Sequence, residues 1–196
     1  TLIELLVVIS IIGLLSSVVL ASLSTARDRA NVGAGKQFDV GIYRNYGADA
    51  SAHWKMEAIS ASKIADDSPN LLDLTVLGTP VAETGVFGNA IRFPTASDYA
   101  QITFPTNSAF ARSSLNGGTI TLWVKPTVLS GTQYILSTQG NPTNRIYFYI
   151  DNSILRIMRG GNPPVSINLG TAKLNEWVNI GMSWTGGASG STQTMR

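Results

Sequence analysis

The side chains that could bind a cation are few and widely spaced. The best candidates are Asp66 and Asp67, with Asp98 further along the chain, because Ca²⁺ prefers carboxylate and carbonyl oxygens as ligands. The alternative is that these aspartates cap backbone N–H groups in solvated turns, which Asp side chains do commonly. We favour the capping role. The sequence therefore predicts no cofactor, and Ca²⁺ at Asp66, Asp67 and Asp98 is the one metal site to test.

Catalytic groups are scarcer still. Glycoside hydrolysis requires two carboxylates facing each other across a substrate, and no two acids after residue 51 stand two or four residues apart. Cysteine is absent, which excludes disulfides and thiolate metal sites within the chain. The single histidine, His53, stands beside Trp54 and is more typical of a packing or surface residue than of a catalytic base. We therefore predict that the protein is not an enzyme.

The charge of the chain is small. Only 13% of the 196 residues are charged, and the formal net charge is +2. Binding to nucleic acid requires clustered Lys and Arg side chains against the phosphates, and no such cluster is present in the sequence. We expect no nucleic-acid partner.

The apolar residues are concentrated at the start of the chain. Between Leu2 and Leu23 the only charged residue is Glu4. A helix of this length measures roughly 33 Å, enough to cross a hydrocarbon core of ~30 Å. A secretory signal would carry Met and a basic segment before a shorter apolar run. The first base here is Arg27, so we expect a membrane-inserting helix from which a leader has been removed.

Glu4 is the one acidic residue within this apolar segment. A carboxylate in the membrane costs ~2.5–3.5 kcal/mol at the centre and less near the interface. Glu4 either reaches the lipid headgroups at the membrane edge or pairs with a positive group of a neighbouring subunit. From its position alone, the two hypotheses are equally good.

The first 29 residues resemble the N-terminus of mature type IV pilins and pseudopilins. The similarity lies in Thr1-Leu2-Ile3-Glu4-Leu5-Leu6-Val7-Val8-Ile9 and in Ile11-Ile12-Gly13-Leu14-Leu15. In that family a leader peptidase cuts before a residue, usually Phe, that precedes the Thr1 position, and the new amine is methylated. The resemblance implies that Glu4 neutralises such an amine of an adjacent subunit during assembly, and that Thr1 and Gly13 belong to the assembly segment. Many members carry proline where this chain has Ala21, so no proline-induced break is expected.

Beyond the apolar run the helix is predicted to continue. Phe38, Ile42 and Tyr46 are four residues apart and would share one helix face. Gly47 is a suitable residue to end it. We therefore predict an N-terminal helical domain over residues 1–50, the membrane segment and filament core, and a second domain over residues 51–196, here called the head.

The head has the pattern of an antiparallel β protein. Short alternating stretches are separated by Gly, Pro and Asn turns, which is typical of a β-sandwich or jelly roll. In one of them Ile120, Leu122 and Val124 share a face opposite Thr121 and Trp123. The fold class predicted is α+β. The predicted strands are Ala90–Phe93, Tyr99–Phe104, Thr119–Lys125, Tyr134–Ser137, Ile146–Ile150, Ile154–Met158, Ser166–Leu169 and Trp177–Trp184.

Residues 52–196 also resemble laminin-G-like, concanavalin-A-like jelly rolls. The similarity lies in the stretches 53–57, 66–70, 85–93, 119–126 and 177–184, of which Gly85-Val86-Phe87-Gly88-Asn89-Ala90-Ile91-Arg92-Phe93 is the strongest. The resemblance implies an opening strand at His53–Glu57 and binding of glycans or proteins, often with calcium. Residues that could supply stacking and hydrogen bonds are Tyr134, Tyr147, Tyr149, Arg145, Arg156 and Arg159.

These observations predict a structural subunit of a type IV pilus-like filament. The subunit would be inserted in the inner membrane before assembly and would then polymerise with copies of itself into an extracellular homo-oligomer. A minor pilin with an adhesin head that binds surface glycans or proteins, and a pseudopilin of a secretion system, are alternatives with the same helix. The stretch Thr192–Arg196 has the pattern of a further strand, and we expect the native head to continue beyond it.

Overall fold

The structure is a computed structural model that describes residues 1–104, 117–138, 145–160, 163–185 and 193–195. The chain divides into two compact units, Thr1–Gly41 and Ile42–Arg196. A long N-terminal helix is followed by antiparallel sheets, which confirms the α+β class.

Helix α1 runs from Leu2 to Tyr46, so the predicted continuation through residue 46 is confirmed. It passes Gly13 and Ala21 without a break. A 3₁₀ turn follows at Gly47–Asp49. Gly47 is not in the left-handed conformation of a typical glycine cap. Its lack of a side chain matters for another reason, because a Cβ there would lie 3.0 Å from the ring of Tyr43.

Four hydroxyl groups in the first 25 residues of α1 form hydrogen bonds with the helix's own backbone. Ser10, Ser17, Ser22 and Thr25 donate hydrogen bonds of 2.8 to 3.2 Å to carbonyl oxygens three or four residues earlier. In a bilayer an unpaired polar group costs several kcal/mol, whereas a hydroxyl bonded to its own helix avoids most of that cost. These serines and threonine are therefore compatible with an apolar environment.

The described strands after α1 form four antiparallel sheets. The strand orders are β1-β2-β5, β10-β9-β8-β7, β12-β11-β6 and β3-β4. The strands are β1 Lys63–Ile64, β2 Leu74–Leu77, β3 Val81–Thr84, β4 Asn89–Arg92, β5 Tyr99–Gln101, β6 Gly117–Val124, β7 Thr132–Ser137, β8 Ile146–Asp151, β9 Ile154–Arg159, β10 Val165–Asn168, β11 Val178–Thr185 and β12 Gln193–Met195.

One hydrophobic core joins the two sheets built on β8–β9 and on β6–β11. Alternate residues of β8 and β9 are buried, as are Ile180, Met182 and Trp184 of β11. Ile120, Leu122 and Val124 pack against this core, which confirms the face assigned to them. The arrangement is that of two sheets sharing their inner faces, as in a sandwich. Closure of all four sheets into a jelly roll stays a prediction.

Apart from the opening strand, the predicted strands all have counterparts in the structure within a few residues, whereas β1, β2 and β3 were not predicted. The opening strand predicted at His53–Glu57 is wrong, because this segment is irregular. The polar groups of residues 53–57 form hydrogen bonds with side chains and with backbone groups in turns, and not with a neighbouring strand. The N–H of His53 donates to Asp66, and the carboxylate of Glu57 accepts from the N–H of Asn89.

Candidate functional site

Glu4 lies at the N-terminus of α1 in a capping box. The N–H of Glu4 lies 3.4 Å from the hydroxyl of Thr1, while the Glu4 carboxylate accepts a hydrogen bond from the Thr1 nitrogen. Thr and Glu three residues apart satisfy two otherwise unpaired helix donors in this way. Both side chains are about three-quarters exposed, so the carboxylate is also open to a group from outside the chain.

The large apolar side chains in the first half of α1 are exposed. The large apolar residues from Leu2 to Leu23 keep between 48% and 82% of their surface exposed. At Gly13 a Cβ would meet nothing within 4 Å, so glycine is not required there by packing inside the chain. By length and composition this helix can cross a membrane, and a signal sequence near an N-terminus would have the same properties.

Asp66 is a buried residue whose carboxylate accepts four hydrogen bonds and so fixes the turn after β1. One carboxylate oxygen accepts from the N–H groups of His53 and Ser68, and the other accepts from the Ser68 hydroxyl and the N–H of Leu72. Burial acts to raise the pKa of Asp66, but these four hydrogen bonds outweigh it and lower the pKa below its usual value. The predicted hydrogen bonds to backbone N–H groups are confirmed for this residue, but the predicted solvated setting is wrong because Asp66 is buried.

Asp98 holds a second turn, before β5, in the same manner. Its carboxylate accepts from the N–H of Thr79 at 2.7 Å and from both the N–H and the hydroxyl of Thr95. The hydrogen bond from Thr79, followed by those from Thr95, lowers the pKa of Asp98. Gly78 has a positive φ of 80° and approaches this carboxylate so closely that a Cβ would lie 2.2 Å from it. The predicted bonds to backbone N–H groups are confirmed here as well, again for a buried and not a solvated carboxylate.

The third predicted calcium ligand, Asp67, forms an ion pair with Lys55. The hydrogen bond to this carboxylate, followed by the attraction of its negative charge, raises the pKa of Lys55. Within the described ranges no three His, Cys, Asp or Glu side chains are grouped as they would be around a metal ion. The structure therefore gives Asp66, Asp67 and Asp98 separate bonding partners and does not bring them together.

Three tyrosines form a patch on the outward side of the β7–β8–β9 sheet, and we call it the tyrosine face. In β8, Tyr147 and Tyr149 alternate with buried residues, and Tyr134 of β7 is the register partner of Tyr149. The ring of Tyr134 lies 6.1 Å from that of Tyr147 and 5.6 Å from that of Tyr149. Tyr134 is 64% exposed, so the patch is accessible at its β7 side.

Two of the three arginines suggested as binding residues, Arg156 and Arg159, lie on opposite sides of the sheet. Arg156 is on the outward side, where it is the register partner of Tyr149. Arg159 is on the inward side, is only 2% exposed and lies over the ring of Trp184 at 5.5 Å. Burial lowers the pKa of Arg159, although a guanidinium remains charged in proteins. Arg159 is therefore a core residue and not part of the tyrosine face.

His53, predicted to be a packing or surface residue, is partly buried and packs against Tyr43. Its ring lies 4.9 Å from the ring of Tyr43, and its Nδ1 atom is buried without a hydrogen-bond partner.

No protein-family model, curated protein sequence or solved structure matches this chain.

The tyrosine face is the grouping that could not be assigned from the sequence. The alternation in Ile146-Tyr147-Phe148-Tyr149-Ile150 indicates that both tyrosines share one side of β8. It does not indicate which side is buried, nor that Tyr134 is the register partner. The irregularity between Tyr134 and Leu136 in β7 changes the alternation locally, so the register had to come from the structure.

Proposed function

We propose that this protein is a structural subunit of a type IV pilus-like extracellular filament. The observation that carries the proposal is α1, in which a membrane-length apolar segment begins with Thr1-Leu2-Ile3-Glu4. In this proposal α1 is held in the inner membrane before assembly, and the head lies on the filament surface. Two alternatives would use the same helix: a minor pilin whose head is an adhesin and which seldom polymerises with itself, and a pseudopilin of a secretion system.

The exposure of α1 supports this proposal. A helix with apolar side chains on all sides is stable when it is surrounded by lipid or by other helices, and not in water. A bundle of like helices replaces lipid with protein contacts at little cost, since both surroundings are apolar. Small residues such as Gly13 allow helix backbones to approach each other closely in such bundles.

Glu4 has two roles in this proposal, and they can be separated. Within the chain it completes the capping box with Thr1. Between chains its charge neutralises an amine of an adjacent subunit, which fixes the axial position of one helix against the next. A carboxylate paired with an amine in an apolar surrounding is far less costly than either charge alone.

The test compares two substitutions of Glu4 by electron microscopy of surface filaments. Glu4→Gln keeps a capping-box side chain but removes the charge, whereas Glu4→Ala removes both. We expect both variants to remain membrane-inserted and to yield few or no filaments, because the missing charge prevents the subunit contact. An antibody label against the wild-type chain distinguishes two cases: label along the whole shaft indicates a major subunit, and label only at the tip indicates a minor one.

Normal filaments from Glu4→Gln with loss from Glu4→Ala would contradict the pairing role and leave only the helix cap. A matched control is Asp28→Asn, which removes an acid that lies in the same helix but after the apolar segment. We expect this control to assemble normally.

A further inference from the structure

β10 is an edge strand whose core-side residues are only partly covered. It pairs with β9 on one side, and no strand in the described part of the chain pairs with its other side. Val165 is the register partner of Ile157, and Ile167 is that of Leu155. Register partners share a face of the sheet, so Val165 and Ile167 belong to the core side. They are nevertheless 36% and 41% exposed, whereas their partners on β9 are buried, so the hydrophobic core is open at this edge.

The backbone groups at the free edge of β10 are those of Ser166 and Asn168. The N–H of Leu169 donates to the carbonyl of Ser153, just before β9, at 2.9 Å. Hydrogen-bonded and non-hydrogen-bonded pairs alternate along an antiparallel ladder, so Ile167 also bonds to β9. The N–H and C=O groups of Ser166 and Asn168 therefore point away from β9, towards the free edge.

β10 lacks the features that commonly prevent edge strands from pairing. Such strands often carry charged side chains, prolines or bulges. β10 is Val-Ser-Ile-Asn, without a charge or a proline, and its pairing with β9 is regular. In β7, at the opposite edge of the same sheet, the register is irregular between Tyr134 and Leu136. Of these two edges, β10 is the one suited to accept another strand.

The sequence of β10 is complementary to itself in an antiparallel register. When a twofold axis passes through Ile167, Ser166 of each copy is opposite Asn168 of the other. Each of these two pairs can exchange both of its N–H···O=C hydrogen bonds. On the core side, Ile167 meets its counterpart and Val165 meets Leu169, so apolar residues cover the exposed part of the core. Polar residues meet on the other side.

Neighbouring registers with the same hydrogen-bonding pattern are poorer. An axis through Ser166 would place Asn168 opposite Pro164, which has no N–H to donate. An axis through Asn168 would place Ser166 opposite Gly170, whose N–H already donates to the Asn168 side chain. The register centred on Ile167 is therefore the one in which all the free groups of Ser166 and Asn168 are paired.

The nearest charges do not oppose this pairing. Arg156 is the only charged residue among the register partners of β10, and its Nε atom lies 3.4 Å from Oδ2 of Asp151. Three inter-strand spacings would separate Arg156 from its counterpart in the second copy, a distance of ~14 Å. This exceeds the Debye length of about 8 Å at physiological ionic strength, so repulsion between the two arginines is largely screened.

We propose that β10 is a self-association edge, at which the heads of two copies join their β7–β10 sheets into one continuous antiparallel sheet. An edge of four residues buries far less than the ~800 Å² per partner of a stable interface. The contact is therefore transient between dilute chains and becomes populated where a membrane or a filament concentrates the heads. The inference goes beyond the filament proposal, because it concerns the heads and does not use the contact of Glu4.

Cysteine cross-linking tests the register, since the chain has no cysteine of its own. The full chain is reconstituted in phosphatidylcholine vesicles and oxidised with copper phenanthroline. In the proposed register the Cα atoms of the two Ile167 residues are about 4.5 Å apart, within the range of a disulfide. The control is Val128→Cys, at a residue that is 47% exposed in the loop between β6 and β7. We expect Ile167→Cys to form disulfide dimers at least about tenfold faster than this control.

Further variants test the backbone pairing. Ser166→Cys mixed with Asn168→Cys, one of them carrying a size tag, should give more heterodimer than either homodimer. Ser166→Pro removes an N–H that faces the free edge, so in the Ile167→Cys chain it should slow cross-linking to the rate of the Val128→Cys control. Ser166→Ala keeps that N–H and should leave the rate unchanged.

Equal rates for Ile167→Cys and Val128→Cys would overturn the proposal, as would an excess of Ser166→Cys homodimer over heterodimer. Cross-linking of Ile167→Cys should persist when Glu4→Gln is added, because β10 is not part of the helix contact. Its loss in that background would also overturn the proposal, since the heads would then meet only as a result of filament assembly. Absence of filaments from the wild-type chain, with cross-linking retained, would contradict the filament proposal alone.

Discussion

At the scale of single residues, buried aspartates hold the irregular parts of the head. Asp66 is 4% exposed and Asp98 is 7% exposed, and each binds donors from two or more separate segments. Hydrogen bonds to a charged acceptor contribute about 1.5–3 kcal/mol each in favourable cases. These carboxylates therefore fix turns whose backbone groups have no strand partner.

The free energy of unfolding should consequently fall in acid. Both aspartates have pKa values below the usual 3.8, so their stabilisation is fully present above that pH and is lost as the pH falls through their folded-state values. Thermal unfolding of the full chain, followed by tryptophan fluorescence from pH 7 to 2, should show this loss below about pH 4.

The matched variant for this prediction is Asp66→Asn. An amide leaves at least one of the four donors without an acceptor, so we expect a loss of about 1–3 kcal/mol at pH 7. The variant should also lose less stability than the wild type between pH 4 and 2. An unchanged midpoint at pH 7 together with the wild-type acid response would show that Asp66 does not hold this turn.

Sequence alone predicted the capping role of these aspartates but not their partners. The tendency of Asp to cap turns is local, whereas the donors on His53 and Thr79 come from segments 13 and 19 residues away. The same limit applies to Glu57, whose partner Asn89 lies 32 residues away. Contacts of this kind follow from the tertiary fold and have no periodic signal.

At the scale of elements, the β6–β11 pair depends on a glycine. Gly118 is the register partner of Trp184, and a Cβ on Gly118 would lie 2.5 Å from the indole ring. Gly118→Ala should displace Trp184 from the core and lower the free energy of unfolding by about 1–3 kcal/mol. Chemical denaturation of the full chain in nanodiscs measures this.

Gly181 provides the matched control within the same strand pair. A Cβ there would be 3.5 Å from Thr121, an ordinary contact, so Gly181→Ala should be neutral or stabilise by up to about 1 kcal/mol. Equal losses from both substitutions would mean that the clash with Trp184 does not govern this position.

Elements with a strong period were predicted well, and those without one were not. In β9 the alternation of Leu155 and Ile157 with outward residues indicates a strand. β3 has four exposed residues, and β1 has only two residues in all, so neither carries a usable alternation. α1 was predicted along its whole length because the apolar run at its start and the four-residue spacing of apolar residues further along both indicate a helix.

At the scale of the whole molecule, the compact units divide between Gly41 and Ile42, inside α1. The last helical residues belong to the unit that contains the head, where Tyr43 contacts His53. The sequence placed the domain boundary at residue 50, where the composition changes. The change in composition shows where the helix ends. The division into compact units depends on contacts between residues, which only the folded chain shows.

The response of the whole molecule to metal tests the capping interpretation in one measurement. A ligand that binds only the folded state raises its stability by about 2.7 kcal/mol at a concentration of 100 times Kd. The three aspartates already have N–H, hydroxyl or ammonium partners, so Ca²⁺ would have to displace them. We therefore expect millimolar CaCl₂ to leave the melting temperature of the full chain unchanged, with MgCl₂ as the control for ionic strength. A rise of several degrees that EDTA reverses would contradict this expectation. If Asp66→Asn or Asp98→Asn then abolished the rise, the metal site would lie at that turn.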